Sequence, residues 1–276
     1  MGAHMVKKMK EQRKGLLAVS LGTSCKDAEK KSINSIEHCF QEAFPERKIY
    51  RAFSSERIRS IIKERQGFDY PNIGMAMEEM LREKVTHVIV QPTYIWKGTE
   101  YEKMRKEAEK YKGEFHELKM GSPLLSSIKD MHNVIPILME EFKDIPSKEA
   151  LVFVGHGNGL KKDNAYAAFD SSLKEAGYRN AWITVLKGEP CFHRILNKIK
   201  TLQVQIVHLI PLMTVAGVHV FRDIEGGDGS LCTLLTKEGF QVQCHKKGMG
   251  EYQEIREQFV SRAKAAEIME TGSEGK

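Results

Sequence analysis

Three residues stand where reactive chemistry would need them. His156 lies between Gly155 and Gly157, directly after the apolar run Ala150 to Val154. His219 closes the segment Pro211-Leu212-Met213-Thr214-Val215-Ala216-Gly217-Val218-His219. Glu100 closes Pro92-Thr93-Tyr94-Ile95-Trp96-Lys97-Gly98-Thr99-Glu100. Imidazole changes charge near neutral pH and binds borderline divalent metals. Two imidazoles and one carboxylate, brought together, could therefore hold such a metal and move protons. Each residue also has a purely structural reading. A histidine in an apolar stretch can be a hydrogen-bonded core residue, and Glu100 can serve the positive end of a helix. Glycines on both sides of His156 point to close approach of a ligand rather than to packing.

These residues need elements that bring them to one place. Leu16 to Leu21 is a short apolar run ending in Gly22-Thr23-Ser24, the pattern of a strand buried on both faces followed by a turn. Asp27 to Phe44 has helical spacing and stops at Pro45. Strands are expected at Lys48–Phe53, Val85–Val90 and Phe115–Met120, with helices at Ser54–Ile62, Ile73–Glu83, Tyr101–Tyr111 and Ile128–Phe142. Asp144-Ile145-Pro146-Ser147 reads as a linker. The alternation then starts again. Strands are expected at Ala150–Val154, Ala181–Val185, Val204–Ile210 and Gln241–Cys244. Helices fall at Ala165–Glu175, Ile195–Leu202, Leu231–Lys237 and Glu254–Ala265.

Strands alternating with helices give parallel sheets covered on both faces. Two rounds of the pattern give an α/β protein of two similar lobes. The loops Pro92–Glu100 and Pro211–His219 strengthen the duplication. Each reads P-x5-G-x-[E/H], and each follows an apolar strand. The expected division is a lead-in over 1–13, a first lobe over 14–146 and a second lobe over 147–249. A closing helix over 250–268 and a tail over 269–276 complete it. In open parallel sheets ligands bind beyond the carboxyl ends of the strands, where Glu100, His156 and His219 all fall.

The chain has 276 residues, 41% hydrophobic and 29% charged, which excludes disorder and collagen. Its net charge of +6 comes from basic residues scattered among acidic ones, which argues against nucleic acid and leaves an acidic small ligand compatible. Cys25, Cys39, Cys191, Cys232 and Cys244 are dispersed with no C-x-x-C, so a zinc ribbon or clustered iron–sulfur site is not expected. Gly2-Ala3-His4-Met5 reads as a cloning remnant. The apolar stretch Ile206 to Phe221 is shorter than the roughly 20 residues of a membrane helix. A cytoplasmic protein without a membrane partner is expected. Gly155-His156-Gly157-Asn158-Gly159-Leu160 lacks the sixth-place glycine of a dinucleotide fingerprint. Neither a phosphate-binding G-x4-G-K-[ST] loop nor a G-x-S-x-G elbow is present.

The segments LAVSLGTS (Leu17 to Ser24), YRAFS (Tyr50 to Ser54), GTEYEK (Gly98 to Lys103), GSPLLSS (Gly121 to Ser127), FVGHG (Phe153 to Gly157) and PLMTVAGVH (Pro211 to His219) together resemble the anaerobic cobalt chelatases called CbiK, within the class II tetrapyrrole chelatases. The resemblance runs from about Lys14 to about Ala265. It implies insertion of Co2+ into sirohydrochlorin in anaerobic cobalamin synthesis. The metal would be a substrate, with Ni2+ and Fe2+ as alternatives, and no tightly bound cofactor would be needed. It also implies two α/β lobes about a central cleft, with the C-terminal helix packed back on the first lobe. His156 matches the histidine assigned to proton abstraction and metal contact, His219 the second metal-binding histidine, and Glu100 the cleft glutamate.

Two positions depart from the family pattern. Where V-E-G-x-P is usual, the chain reads Val185-Leu186-Lys187-Gly188-Glu189-Pro190, which puts Lys187 in the glutamate position and Glu189 two places later. Tyr94 stands where a histidine is often found. An ammonium cannot ligate a dication while protonated, but Lys187 could answer a tetrapyrrole carboxylate. Arg51, Lys97, Lys161 and Lys162 lie near expected strand ends and are candidates for the same task. Tyr94, Lys187 and Glu189 complete the expected substrate-binding set. The alternatives are a non-catalytic tetrapyrrole- or metal-binding relative, or a chelatase for another metal or macrocycle.

Overall fold

The computed structural model describes residues 12–157 and 164–269. The first lobe runs β1 (Lys14–Ser20), α1 (Lys26–Ala28), a π-helical segment Glu29–Ile33, α2 (Asn34–Ala43), β2 (Arg47–Phe53), α3 (Glu56–Gln66), α4 (Ile73–Arg82), β3 (His87–Pro92), α5 (Thr99–Glu109), β4 (Glu117–Met120) and α6 (Ile128–Glu140). The second runs β5 (Ala150–Gly155), α7 (Asn164–Glu175), β6 (Ala181–Val185), α8 (Phe192–Thr201), β7 (Ile206–Pro211), a π-helical segment Val220–Glu225, α9 (Leu231–Lys237) and β8 (Gln241–Cys244). A 3-10 turn Met249–Glu251, α10 (Gln253–Lys264) and the short β9 (Glu267–Ile268) close the chain.

The strand order is β2-β1-β3-β4-β9 in one sheet and β6-β5-β7-β8 in the other. Both lobes thus place their first strand between their second and third. All pairings are parallel except β4 with β9, an antiparallel edge that the sequence pattern did not announce. The apolar runs explain the central strands. In β1, Leu17 and Val19 face one core while Leu16 and Ala18 face another. In β5, Val152 and Val154 face outward while Leu151 and Phe153 face inward. The inward faces of both sheets share one core with α2, α6, α7 and α10. Burial of side chains such as Phe40, Phe153 and Phe259, each worth about 1.5–3 kcal/mol, fastens the lobes together.

The duplication extends to the backbone bonds at the strand ends. Thr93 N donates to Val19 O at 2.8 Å, and Leu212 N donates to Val154 O at 2.9 Å. Ser54 N donates to Ser20 O at 2.9 Å, and Leu186 N donates to Gly155 O at 3.0 Å. Further along, Leu125 N donates to Ile95 O and Gly250 N to Thr214 O. Each lobe then sends its last helix to the other lobe: α6 packs on α7, and α10 packs on α2. Asp130 of α6 and Arg262 of α10 form a shielded ion pair at 2.7 Å where these helices meet. The reading of one continuous helix over Asp27–Phe44 is corrected, because Glu29–Ile33 is π-helical. The closing segment presses there: a Cβ on Gly250 would lie 2.9 Å from the Ser32 Cβ. Among the described residues no helix is long and apolar enough to cross a membrane.

Candidate functional site

In the order second–first–third–fourth, the chain turns to opposite sides of the sheet after its first and third strands. The crevice between those strand ends is the usual ligand position. His156 follows β5 and His219 lies eight residues beyond the end of β7, at Pro211. The structure brings their rings together, 4.7 Å between centroids and inclined at 79°.

Each ring has one nitrogen engaged. His156 Nδ1 lies 2.9 Å from the Gly157 carbonyl, which can only accept, so Nδ1 carries the proton. His219 Nδ1 lies 2.6 Å from Asp223 Oδ2, one helical turn on. Asp223 also accepts two bonds from Arg222, at 2.6 and 2.9 Å. The Arg222 guanidinium, helped by His219, holds the Asp223 carboxyl down at about 2 despite its partial burial. It is therefore a fixed carboxylate acceptor at neutral pH. Nε2 of each imidazole has no hydrogen-bond partner among the described residues. A carboxylate behind a ligating histidine fixes its tautomer and raises its basicity. The pair thus presents two Nε2 atoms without hydrogen-bond partners among the described residues, from two segments of one lobe.

Local geometry explains why these loops have their sequences. Gly157 has φ +73°, and a Cβ there would fall 1.9 Å from the Lys187 carbonyl oxygen. A Cβ on Gly155 would meet the Tyr166 ring at 2.5 Å. On the side where a Cβ would point, these glycines make room for Tyr166 and the Lys187 backbone. Gly157 N donates to the Tyr166 hydroxyl at 3.1 Å, and Lys187 N donates to His156 O at 3.1 Å. His219 begins a helical turn that passes into the π-helical segment Val220–Glu225, which carries Asp223 back under it.

The expected metal triad is not assembled. Among the described residues, no three His, Cys, Asp or Glu side chains are grouped to hold a metal. Glu100 sits in the first turn of α5, half-exposed and ion-paired with Lys103 at 2.8 Å. Its loop still reaches the second lobe. Thr214 Oγ1 donates to Thr93 O at 2.6 Å, and Trp96 packs on Tyr166 with centroids 4.8 Å apart.

The substrate-binding candidates divide. Lys97 is exposed, its ammonium 6.0 Å from the Tyr101 ring centroid. Lys187 is exposed beside the His156 loop. Lys161 and Lys162 lie outside the described residues. The other three are engaged within the fold. Arg51 is held inside the first lobe by Glu37 at 2.5 and 2.7 Å, Glu29 at 2.6 Å and Asn34 at 2.6 Å. It ties the helix after β1 to β2. Tyr94 is 5% exposed and donates to Ser54 Oγ at 2.8 Å. Burial drives its phenol pKa far up, and the nearby Glu100 charge pushes the same way. Glu189 accepts the Cys191 backbone N–H at 2.8 Å at the start of α8, which holds its carboxyl below the usual range, with Arg194 at 3.8 Å helping.

Sequence reasoning missed Asp223. Its signal was present, since His219 and Asp223 are four apart and face one another on a helix.

A model of the cobalt chelatase (CbiK) family matches residues 14–268. This chain belongs to that family. A sirohydrochlorin cobaltochelatase from Salmonella typhimurium is 30% identical over 250 residues, covering 90% of this chain and 94% of that protein. The sirohydrochlorin cobaltochelatase CbiKC of Nitratidesulfovibrio vulgaris is 27% identical over 249 residues, covering 87% and 86%. Among solved structures, SirB from Bacillus subtilis with Fe3+ aligns with a TM-score of 0.59 at 13% identity, over 92% of this chain and 95% of that one. That likeness shows the two-lobed α/β chelatase fold. The CbiK membership carries with it a chelatase-type activity on a metal and a tetrapyrrole.

Proposed function

We propose that this chain is a cytoplasmic enzyme that inserts Co2+ into sirohydrochlorin, the cobaltochelatase activity for which its two relatives are named. The observation that carries the reading is the imidazole pair, with both Nδ1 atoms engaged and neither Nε2 hydrogen-bonded among the described residues.

Metallation must deliver a dication and remove the pyrrole N–H protons. His219, oriented by Asp223, holds the incoming metal through Nε2. His156 is exposed; it shares the metal at first and, once the metal has passed to the macrocycle, its freed Nε2 accepts the two pyrrole protons in turn and passes each to solvent. The Asp223 carboxylate offsets positive charge at the site. The macrocycle bends so that its nitrogens reach the metal, a strain drawn from binding of its peripheral groups. Lys97 and Lys187, both exposed, supply cations for the peripheral carboxylates. Glu100 contributes from the first lobe after leaving Lys103.

An anaerobic spectral assay with sirohydrochlorin and Co2+, Ni2+ or Fe2+ tests this directly. Co2+-dependent formation of the metallated chromophore is expected. One observation favours a second reading, a non-catalytic tetrapyrrole or metal carrier. No second-lobe carboxylate stands at the position of Lys187, and Glu189 is engaged at a helix start. Tight binding of macrocycle or metal without turnover for any of the three ions would select the carrier.

A further inference from the structure

The duplicated fold has two switch-point loops after its first strands, and only one of them carries a histidine. Backbone bonds define the match residue by residue. Ser55 N donates to Leu21 O at 3.3 Å, as Lys187 N donates to His156 O at 3.1 Å. The residues just before match too, through Ser54 to Ser20 and Leu186 to Gly155. Those after match as left-handed glycines, Gly22 at φ +93° and Gly157 at φ +73°. Leu21 therefore occupies in the first lobe the place that His156 occupies in the second.

Leu21 is an unusual residue for that place. It is 44% exposed, although it follows a strand whose last six residues are buried. The loop cannot easily turn it inward. A Cβ on Gly22 would lie 2.6 Å from the Phe53 ring, so that ring already fills the space behind the turn. The loop also abuts the metal-binding face of the second lobe. Thr23 Oγ1 would stand 3.1 Å from a Cβ on Gly217, two residues before His219. Val218 and Phe221, on either side of His219, are exposed as well. Thus three of the eight exposed large apolar side chains among the described residues fall in the loop after β1 and in the helical turn that carries His219, two segments that approach each other at Thr23 and Gly217. Scattered apolar residues need no explanation, but a gathering at a polar centre marks a binding surface.

We infer that Leu21 is a substrate-positioning residue, an apolar rest for the flat face of the tetrapyrrole, placed where the fold puts a metal-binding histidine in the other lobe. The inference rests on the chelatase reading and deepens it. One lobe grips the metal, and the other seats the macrocycle against it. An apolar contact made equally to substrate and to the bent macrocycle affects binding more than turnover.

The test uses the full chain and reads two things apart. Sirohydrochlorin binding is followed by fluorescence quenching, and Co2+ binding by calorimetry without the macrocycle. Leu21→Asn should weaken sirohydrochlorin binding and raise its KM about tenfold, roughly 1.4 kcal/mol, with a smaller change in kcat. Leu21→Met should restore wild-type values, and Co2+ affinity should be the same in all three proteins. Circular dichroism checks that Leu21→Asn is folded; if it is not, Leu21→Ala takes its place, with the same expected direction. Wild type that binds sirohydrochlorin, alongside a folded Leu21→Asn or Leu21→Ala that binds it equally well, overturns the inference and leaves the chelatase reading intact. Wild type that does not bind sirohydrochlorin overturns both. A parallel loss of Co2+ affinity in the Leu21 variants would also overturn the inference, by showing that the loop acts through the metal site.

Discussion

The loops after β1 and β3 and those after β5 and β7 have the same backbone bonding and different chemistry. Leu21 stands opposite His156, Ser55 opposite Lys187, and Glu100 opposite His219. The shared part is carried by main-chain hydrogen bonds and glycines, which do not depend on the intervening side chains. That separation lets one lobe gather an imidazole pair backed by Asp223 while its twin keeps an apolar and a carboxylate residue at matching places. Loops on a rigid scaffold are where such divergence is tolerated. The comparison makes a definite division of labour, and each variant below tests one side of it.

The largest effect is expected at the imidazole pair. His156→Ala and His219→Ala should each lower metal insertion by about a hundredfold or more, the usual scale for a lost acid–base group. Both side chains lie beyond the strand ends and outside the core, so thermal unfolding should change little. Full activity in folded His156→Ala protein would move the proton transfer elsewhere, and Glu100 in the first lobe would become the candidate.

The next largest concerns Asp223. Asp223→Ala leaves His219 Nδ1 without its acceptor and frees the ring to rotate. Co2+ affinity measured by calorimetry should fall about 10–100-fold, the range seen when such supporting carboxylates are removed. Asp223→Asn keeps an acceptor oxygen without the charge and should fall between. Equal affinity in all three proteins would mean that His219 is held by its helical turn alone.

Lys187→Glu gives a smaller effect of opposite sign. It exchanges one positive for one negative charge beside the His156 loop. A unit-charge pair at 4 Å is worth about 4 kcal/mol at surface-like dielectric, and the exposed side chain loses most of that to solvent. A gain in Co2+ affinity of about tenfold remains, roughly 1.4 kcal/mol. An unchanged affinity together with active wild type would mean that the Lys187 side chain points away, and that its backbone bond to His156 is its whole contribution.

Much of this was legible in the sequence. The alternation of short apolar runs with helical spacing gave two covered parallel sheets, and the paired P-x5-G loops located the duplication. His156 and His219 were singled out from their settings, and they meet. What was illegible depended on three-dimensional partners. Arg51 looks like a free cation at a strand end, and only the π-helical bend of Glu29–Ile33 and the start of α2 bring Glu29, Asn34 and Glu37 around it. Tyr94 and Glu189 are engaged by Ser54 and by the backbone of Cys191, contacts with no periodic signature. The match of Leu21 to His156 is a matter of hydrogen-bond register, since the segments between the matched loops differ in length.

The two lobes should also differ in their response to acid. Gly121 N donates to Val90 O at the end of β4, as His245 N donates to Leu209 O at the end of β8. The first lobe thus has a glycine where the second has a histidine. His245 Nε2 lies 3.1 Å from His208 Nδ1, and His208 Nε2 lies 2.7 Å from the Glu149 carboxylate. His208 is 3% exposed. Phe142 lies edge-on to the His245 ring at 5.1 Å, and Glu141, paired with Lys247, is the other nearby charge. Burial lowers the His245 pKa, the neighbouring His208 lowers it further, and Glu141 opposes both. A folded pKa below the unfolded value means that the unfolded chain binds the extra proton first. The contribution of His245 to stability is therefore complete above about 6.5 and is lost as pH falls through the folded value. His245→Gln keeps an N–H that can donate to His208 and removes the titration. Wild type should lose Tm between pH 7.5 and 5.5, and His245→Gln should lose less, with the two curves converging at the alkaline end. Equal slopes would place the acid sensitivity outside this cluster and remove the asymmetry between the sheets. This is the smallest of the expected effects, because it acts on the scaffold beneath the loops and leaves His156, His219 and Asp223 in place.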